Sequence, residues 1–373
     1  MNTETDKFLT RDDTKIIKAI GVLLMILHHL WAFPENIPED GLKYLFSVDG
    51  MPSVVYFGRF GKICESFFFF AGGYGTYIAS KGKRYDFIGK VKNLYKAYWK
   101  VFLIFIPVGF LFFSVQPDYC TNTMICSRFR TFSLPEFAAN FVGMRATFNL
   151  EWWFLRSYLV ALVSFPIVRR VVENRHASVN IFLVIIGSIL MTDVLPFLPQ
   201  IRIFSRLEDN ALFKTFACQE SPYVACFWMG AVAAENALLD RLNADLKKHG
   251  LLNPVSDVLI WIAVVYFRQS LFGEKADIFY IPVLIVCSMD LVNRMKTLRK
   301  VFLSLGKEST NLWLIHTFFC YYFYPAVKVV FAPKWAIPCY MVLVLLSYAA
   351  SWAITNLWKL LGLGCNFRKQ LGR

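Results

Sequence analysis

Residues Lys15–Phe33 read KIIKAIGVLLMILHHLWAF. The run is long enough to cross a bilayer as a helix, for which about 20 residues are needed. Yet it carries Lys18 near its start and His28 and His29 near its far end. Ionisable groups are costly at membrane depth, so they turn toward the protein interior and are functional candidates by default. Lys18 and His29 stand eleven residues apart. On a helix that places them on one face, about 16 Å apart along the axis. A cation near one membrane surface, with an imidazole deeper on the same stripe, suits a reaction carried out inside the membrane.

Composition extends this reading to the whole chain. Of 373 residues, 57% are hydrophobic, 17% aromatic and only 18% charged, more apolar surface than a soluble fold of this length can bury. The expected class is all-α: a polytopic integral membrane protein of about ten transmembrane helices. They fall near 16–33, 57–79, 98–115, 150–168, 179–197, 216–236, 254–270, 277–293, 310–331 and 335–358. The opening MNTETDKFLTRDDTK is polar and the first apolar run lacks a small-residue cleavage site, so no cleavable signal peptide is expected.

The formal net charge is +14. In a membrane protein this reflects Lys and Arg gathering on the cytoplasmic side, and nucleic acid is not an expected partner. The N-terminal tail with Lys18, the stretches 80–100, 169–175, 237–253 and 294–307, and the C-terminal tail hold 26 of the 40 Lys and Arg. The opposite loops and their adjoining helix ends hold 13, and only Arg156 falls well inside a segment. That bias puts both termini in the cytoplasm of a multi-pass protein of the cell membrane. Residues 1–15 are then a cytoplasmic tail, 16–360 a single transmembrane domain and 361–373 a basic cytoplasmic tail.

Nine cysteines are scattered along the chain without a CxxC pair, so no metal site is expected. Cys120 and Cys126 share one polar loop. They can pair if that loop is extracytoplasmic, or remain free thiols. Asp193 and Asp290 lie within apolar segments, where helix-end capping or an interhelical hydrogen bond is the expected role.

The spacing of Lys18 and His29 resembles the first helix of the acyltransferase family 3 membrane proteins, whose hallmark is Arg, ten residues, then His. Lys for Arg keeps the charge but loses the planar bidentate fork. The resemblance continues through the chain. In FGKICESFFFFAGGYGTY, Gly72, Gly73 and Tyr74 stand where the family has Ser-Gly-Phe/Tyr; glycine packing between helices is the simpler reading of the same residues. In KGKRYDFIGKVKNLYKAYWK, Lys90, Lys92 and Lys96 precede Tyr98 and Trp99, like the family's basic run before its third helix. EWWFLRSY, beginning at Glu151, resembles the family's Trp-Phe-Leu entry to the fourth helix. LGKESTNLWLIHTFF resembles its late pattern through Leu305, Gly306, Ser309, Trp313, Leu314 and His316.

The resemblance implies an integral-membrane acyltransferase. It would move an acyl group, most simply acetyl, from cytoplasmic acyl-CoA (acetyl-CoA) to a hydroxyl of an extracytoplasmic acceptor such as a surface or secreted glycan. His29 would deprotonate the hydroxyl or carry the acyl group transiently, with Lys18 beside the donor or shaping the His29 environment. Lys90, Lys92 and Lys96 would attract the donor's phosphates. Glu65, Tyr74, Glu151, Trp152, Ser309 and His316 would line the pocket. Between Gln116 and Leu150, LPEFAANFVG reads as a short interfacial or re-entrant helix. The alternative reading is a transporter or flippase of a lipid-linked glycan, which would be built on internal repeats; no convincing inverted repeat is visible. Beyond the glycan and membrane lipids, a homo-oligomeric partner is left open.

Overall fold

The first apolar run is a helix, α1 (Arg11–Trp31), in a computed structural model that describes residues 8–37, 42–48, 50–115, 128–209, 213 and 221–361. Thr10 and Asp13 cap it reciprocally. The Asp13 amide donates to the Thr10 hydroxyl at 3.2 Å, and the Thr10 amide donates to the Asp13 carboxylate at 2.9 Å. Two donors that a helix start leaves unpaired are thereby satisfied. The helix ends just ahead of Pro34, whose ring lacks an amide hydrogen.

Thirteen further α-helices follow among the described residues: α2 (Ser53–Phe60), α3 (Cys64–Ser80), α4 (Phe87–Phe112), α5 (Leu134–Phe141), α6 (Trp153–Val172), α7 (Ala177–Ile189), α8 (Ser221–Glu235), α9 (Leu238–Lys248), α10 (Pro254–Phe267), α11 (Asp277–Arg294), α12 (Lys296–Thr317), α13 (Tyr324–Phe331) and α14 (Ala336–Leu360). A two-residue hairpin, β1 (Ser47–Val48) against β2 (Met51–Pro52), is the described strand structure. The protein is therefore all-α and built for a membrane.

Six helical stretches are long and apolar enough to cross a bilayer: Arg11–Trp31, Phe87–Phe112, Ala177–Gln200, Pro254–Phe272, Glu274–Arg294 and Ala336–Leu360. A seventh would be Lys296–Tyr322 with Tyr324–Phe331, but the two are bent by 88°. The apolar run 310–331, read as one span, is thus two helices meeting at a corner. The run 57–79 is likewise divided into α2, a short 3-10 turn (Gly61–Ile63) and α3. Hydropathy sums apolar content and carries no information on direction, which is why neither break shows in it. Asp193 and Asp290 make ion pairs, to Lys275 at 2.5 Å and to Arg294 at 2.7 Å. Cys120 and Cys126 lie outside the described residues.

The helices divide into two compact units. The first comprises the described chain up to Met25, Lys62–Gly89 and Phe154–Lys307. Its centre is the crossing of α3 and α8. A Cβ on Gly73 would collide with the Phe227 carbonyl, and one on Gly230 with the Phe70 carbonyl, so two glycines let the backbones touch. Gly72 instead faces the Tyr158 hydroxyl, and Gly75 faces open space. Packing thus explains Gly73. Gly306 of α12 packs the same way against the Lys15 carbonyl of α1. Away from this crossing, Arg268 grips Asp277 through two bonds of 2.8 and 3.0 Å, and Ser66 donates to the same carboxylate at 2.6 Å.

The second unit comprises Ile26–Gly61, Lys90–Trp153 and the chain from Glu308 onward. Within it α5 is re-entrant. The chain follows α4 from Phe110, which meets the Phe132 ring at 5.4 Å, past Phe102 against Phe137 at 5.1 Å, to Trp99 stacked on Phe141 at 5.0 Å. It then returns, and Phe148 lies 5.4 Å from Phe110. Backbone at this depth must have its polar groups satisfied from within the protein. Three α4 side chains do this for the end of α5: Tyr98 donates to the Asn140 carbonyl at 2.6 Å, Trp99 to Phe141 at 2.9 Å and Tyr95 to Val142 at 2.7 Å. Inside the hairpin, the Asn140 amide group reaches the Glu136 carbonyl at 2.9 Å and the Thr147 hydroxyl at 2.7 Å. Outward-facing Leu134, Val142 and Met144 remain exposed, as suits lipid contact.

Candidate active site

His29 sits two residues before the end of α1, and its ring meets His316 of α12. The two are 2.9 Å apart, His29 Nδ1 to His316 Nε2. His316 is fully buried. Its Nδ1 lies 3.0 Å from the Leu312 carbonyl and 2.9 Å from the Trp313 carbonyl. Carbonyl oxygens only accept, so His316 Nδ1 carries the hydrogen and His316 Nε2 carries a lone pair. His29 Nδ1 must then be the donor to His316, which makes Nε2 the basic nitrogen of His29. The arrangement fixes ring orientation and tautomer together.

The helix around His316 is not regular. α12 gives way to one π-helical turn, Phe318–Tyr322, before the corner at Phe323. Such turns recur at functional sites because they shift side chains out of helical register. Here Tyr321 donates to the His29 carbonyl, and Tyr322 donates to the Glu151 carboxylate at 3.1 Å. Trp152 is buried against the same turns, its Nε1 donating to the Leu314 carbonyl at 3.1 Å. The Trp313 indole donates to the Glu151 carbonyl at 3.4 Å, and Asn149 donates to the Thr317 hydroxyl at 2.8 Å.

His28 points elsewhere. It is buried and its Nδ1 donates to the Gly58 carbonyl of α2 at 2.9 Å. A Cβ on Gly58 would lie 2.7 Å from the Ala32 amide nitrogen, so α1 and α2 touch there and His28 secures the contact. The adjacent histidines therefore have separate roles, as a helical step of about 100° demands.

Of the other residues singled out in the sequence, Glu151, Trp152, Ser309, His316, Lys90, Lys92 and Lys96 share the second unit with His29. Ser309 is buried, Lys92 and Lys96 are exposed on α4, and Lys90 is half-buried. Lys18, Glu65 and Tyr74 belong to the first unit. Lys18 is half-buried on α1, while Glu65 and Tyr74 are buried in α3. Tyr98 and Trp99 serve the re-entrant hairpin. Asn149, Tyr321 and Tyr322 escape sequence reading: the last two lie in the aromatic run FFCYYFY, where nothing separates a functional phenol from lipid-facing filler. Among the described residues, no three His, Cys, Asp or Glu side chains gather as a metal site.

A family model described as an acyltransferase domain matches residues 13–356, nearly the whole chain. The chain belongs to acyltransferase family 3. No curated protein and no solved structure gives a match. Membership makes this protein a membrane acyltransferase, and both histidines of the dyad fall inside the matched region.

Proposed function

We propose that this acyltransferase moves an acyl group, most simply acetyl, from cytoplasmic acyl-CoA to a hydroxyl of an extracytoplasmic glycan, with His29 as general base. The observation that carries the reading is the His29–His316 bond, because it leaves His29 Nε2 as the proton-accepting nitrogen. As the acceptor oxygen attacks the thioester carbonyl, Nε2 takes the hydroxyl proton. The imidazolium that forms is stabilised through its Nδ1–H bond to His316, the part a carboxylate plays in a hydrolase triad. Collapse of the tetrahedral intermediate breaks the carbon–sulfur bond, and the proton on Nε2 passes to the departing thiolate.

Lys18 lies about two helical turns in from the start of the same helix, and Lys90, Lys92 and Lys96 crowd the start of α4. The three on α4 suit the phosphates of a coenzyme A donor. The same reading places both termini in the cytoplasm and the protein in the cell membrane, on the charge bias, and contacts within each unit join ends that it assigns to one side. Phe8 bonds Asp240 at 2.6 Å and Arg299 bonds Asp13 at 2.7 Å, joining segments that the positive charge assigns to the cytoplasm. Lys62 pairs with Glu274 at 3.0 Å, and the Lys43 amide donates to the Lys334 carbonyl at 2.7 Å, joining segments assigned outside. The test is mass spectrometry of cell-surface glycans with and without the gene, together with acetyl-CoA cleavage by the purified protein. Thioester cleavage that never depends on an acceptor, with unaltered glycans, would refute the reading.

A further inference from the structure

Beside the dyad, three side chains form an arrangement that the acid–base chemistry leaves unused. Glu151 accepts from Tyr322 through Oε2 at 3.1 Å. Arg128 stacks over the Tyr322 ring, its guanidinium carbon 5.0 Å from the centroid. One Arg128 terminal nitrogen donates to the Thr147 carbonyl, but its Nε is buried without a partner among the described residues. A buried N–H left unpaired is costly, so a site that keeps one calls for an explanation. The Arg128 charge also acts on the Glu151 carboxylate.

The geometry points to Glu151 and Arg128 as an acceptor subsite for a polyhydroxylated ligand, a sugar ring. This rests on the acyl-transfer reading and deepens it by naming what holds the acceptor. A carboxylate oxygen takes hydrogens from sugar hydroxyls and a guanidinium N–H donates to their oxygens. Both bonds are charge-assisted and so among the stronger kinds. Stacking on Tyr322 holds the guanidinium plane fixed. The position is suited to delivery. Tyr321 is bonded to the His29 carbonyl, and the next residue, Tyr322, is bonded to Glu151. Trp313 donates to the Glu151 carbonyl and accepts from His316 through its own carbonyl. One stretch of α12 and its π turn therefore holds the base, its partner and the carboxylate in register. Arg128 lies within, and Glu151 just after, the loop 116–150 that charge bias places outside, where a glycan would arrive.

The experiment uses the full chain in lipid nanodiscs, acetyl-CoA as donor, and glycan extracted from cells lacking the gene as titrated acceptor, with acetylated product read by mass spectrometry. Arg128→Ala and Glu151→Gln are each expected to raise the half-saturating acceptor amount about tenfold or more, the loss of a charge-assisted bond. Half-saturating acetyl-CoA should not move. Tyr322→Phe keeps the ring under Arg128 and should give a smaller shift in the same direction. If Glu151→Gln fails to fold, Arg128→Ala decides. Acceptor dependence unchanged from wild type, or acetyl-CoA dependence rising in parallel, overturns the subsite while acyl transfer stands. A wild-type chain that transfers nothing overturns the acyl-transfer reading and the subsite with it.

Discussion

Which nitrogen of His29 holds the hydrogen decides what His29 can do, and His316 fixes that through its bonds to the Leu312 and Trp313 carbonyls. His29→Ala is expected to abolish acyl transfer while the protein still inserts and accumulates; losing a general base costs about 10²–10⁴-fold. His28→Ala removes the bond to Gly58 and should keep a substantial fraction of activity. His316 is a positioning residue, so its two variants should differ. His316→Ala leaves His29 Nδ1 without its acceptor and should lower kcat about as severely as losing the orienting group of a triad does. His316→Gln offers a side-chain oxygen in the same direction and should recover part of the rate. Single-turnover acetyl transfer with each variant measures this. Equal loss in the Ala and Gln variants, or an active His29→Ala with a dead His28→Ala, would sink the assignment of roles on α1.

At the scale of elements, the chain uses three devices to bring polar chemistry into an apolar setting: glycine crossings, a re-entrant hairpin and a π turn. The first, and the helix of the second, were open to sequence reading. AGGYG announces a close crossing, but three glycines look alike until Phe227 of α8 selects Gly73. Gly73→Val should therefore destabilise the protein by several kcal/mol through overpacking and backbone shift. Gly75→Val, facing open space, should cost little; thermal unfolding in detergent compares them. The hairpin was legible as a short helix in a long loop. Its anchoring by Tyr95, Tyr98 and Trp99 was not, because those residues are as ordinary in a membrane belt as in a clamp. The lysines on the same helix carry the proposed donor contact. If they hold the donor's phosphates, Lys92→Gln with Lys96→Gln should raise the apparent acetyl-CoA KM more than it lowers kcat, since such charges would bind donor equally in ground and transition states. The effect should fade at high salt, and a collapsed kcat at constant KM would assign the cluster another role.

For the whole molecule, hydropathy located most of the helices, because it is a sum over local composition, and charge supplies a proposed sidedness in the same way. The dyad could not be found that way. His29 and His316 are 287 residues apart, and their meeting depends on how α12 packs. The sidedness, however, is a global inference with a direct test. A basic excess of 26 against 13 residues, counted over alternate loops, sets orientation. Long-range contacts within each unit join ends that this reading assigns to one side. Asn180 bonds Asn236 at 3.0 Å and Asn311 bonds Thr355 at 3.2 Å, joining segments assigned to the cytoplasm. Lys275 pairs with Asp193 at 2.5 Å, joining segments assigned outside. A cysteine placed at Lys83 should thus resist a membrane-impermeant thiol reagent applied to intact cells and react once the membrane is opened. A cysteine at Leu45, 77% exposed beyond the end of α1, should react in intact cells. Labelling of the Lys83 position from outside would invert the topology, and with it the side on which Lys90, Lys92 and Lys96 could meet a cytoplasmic donor.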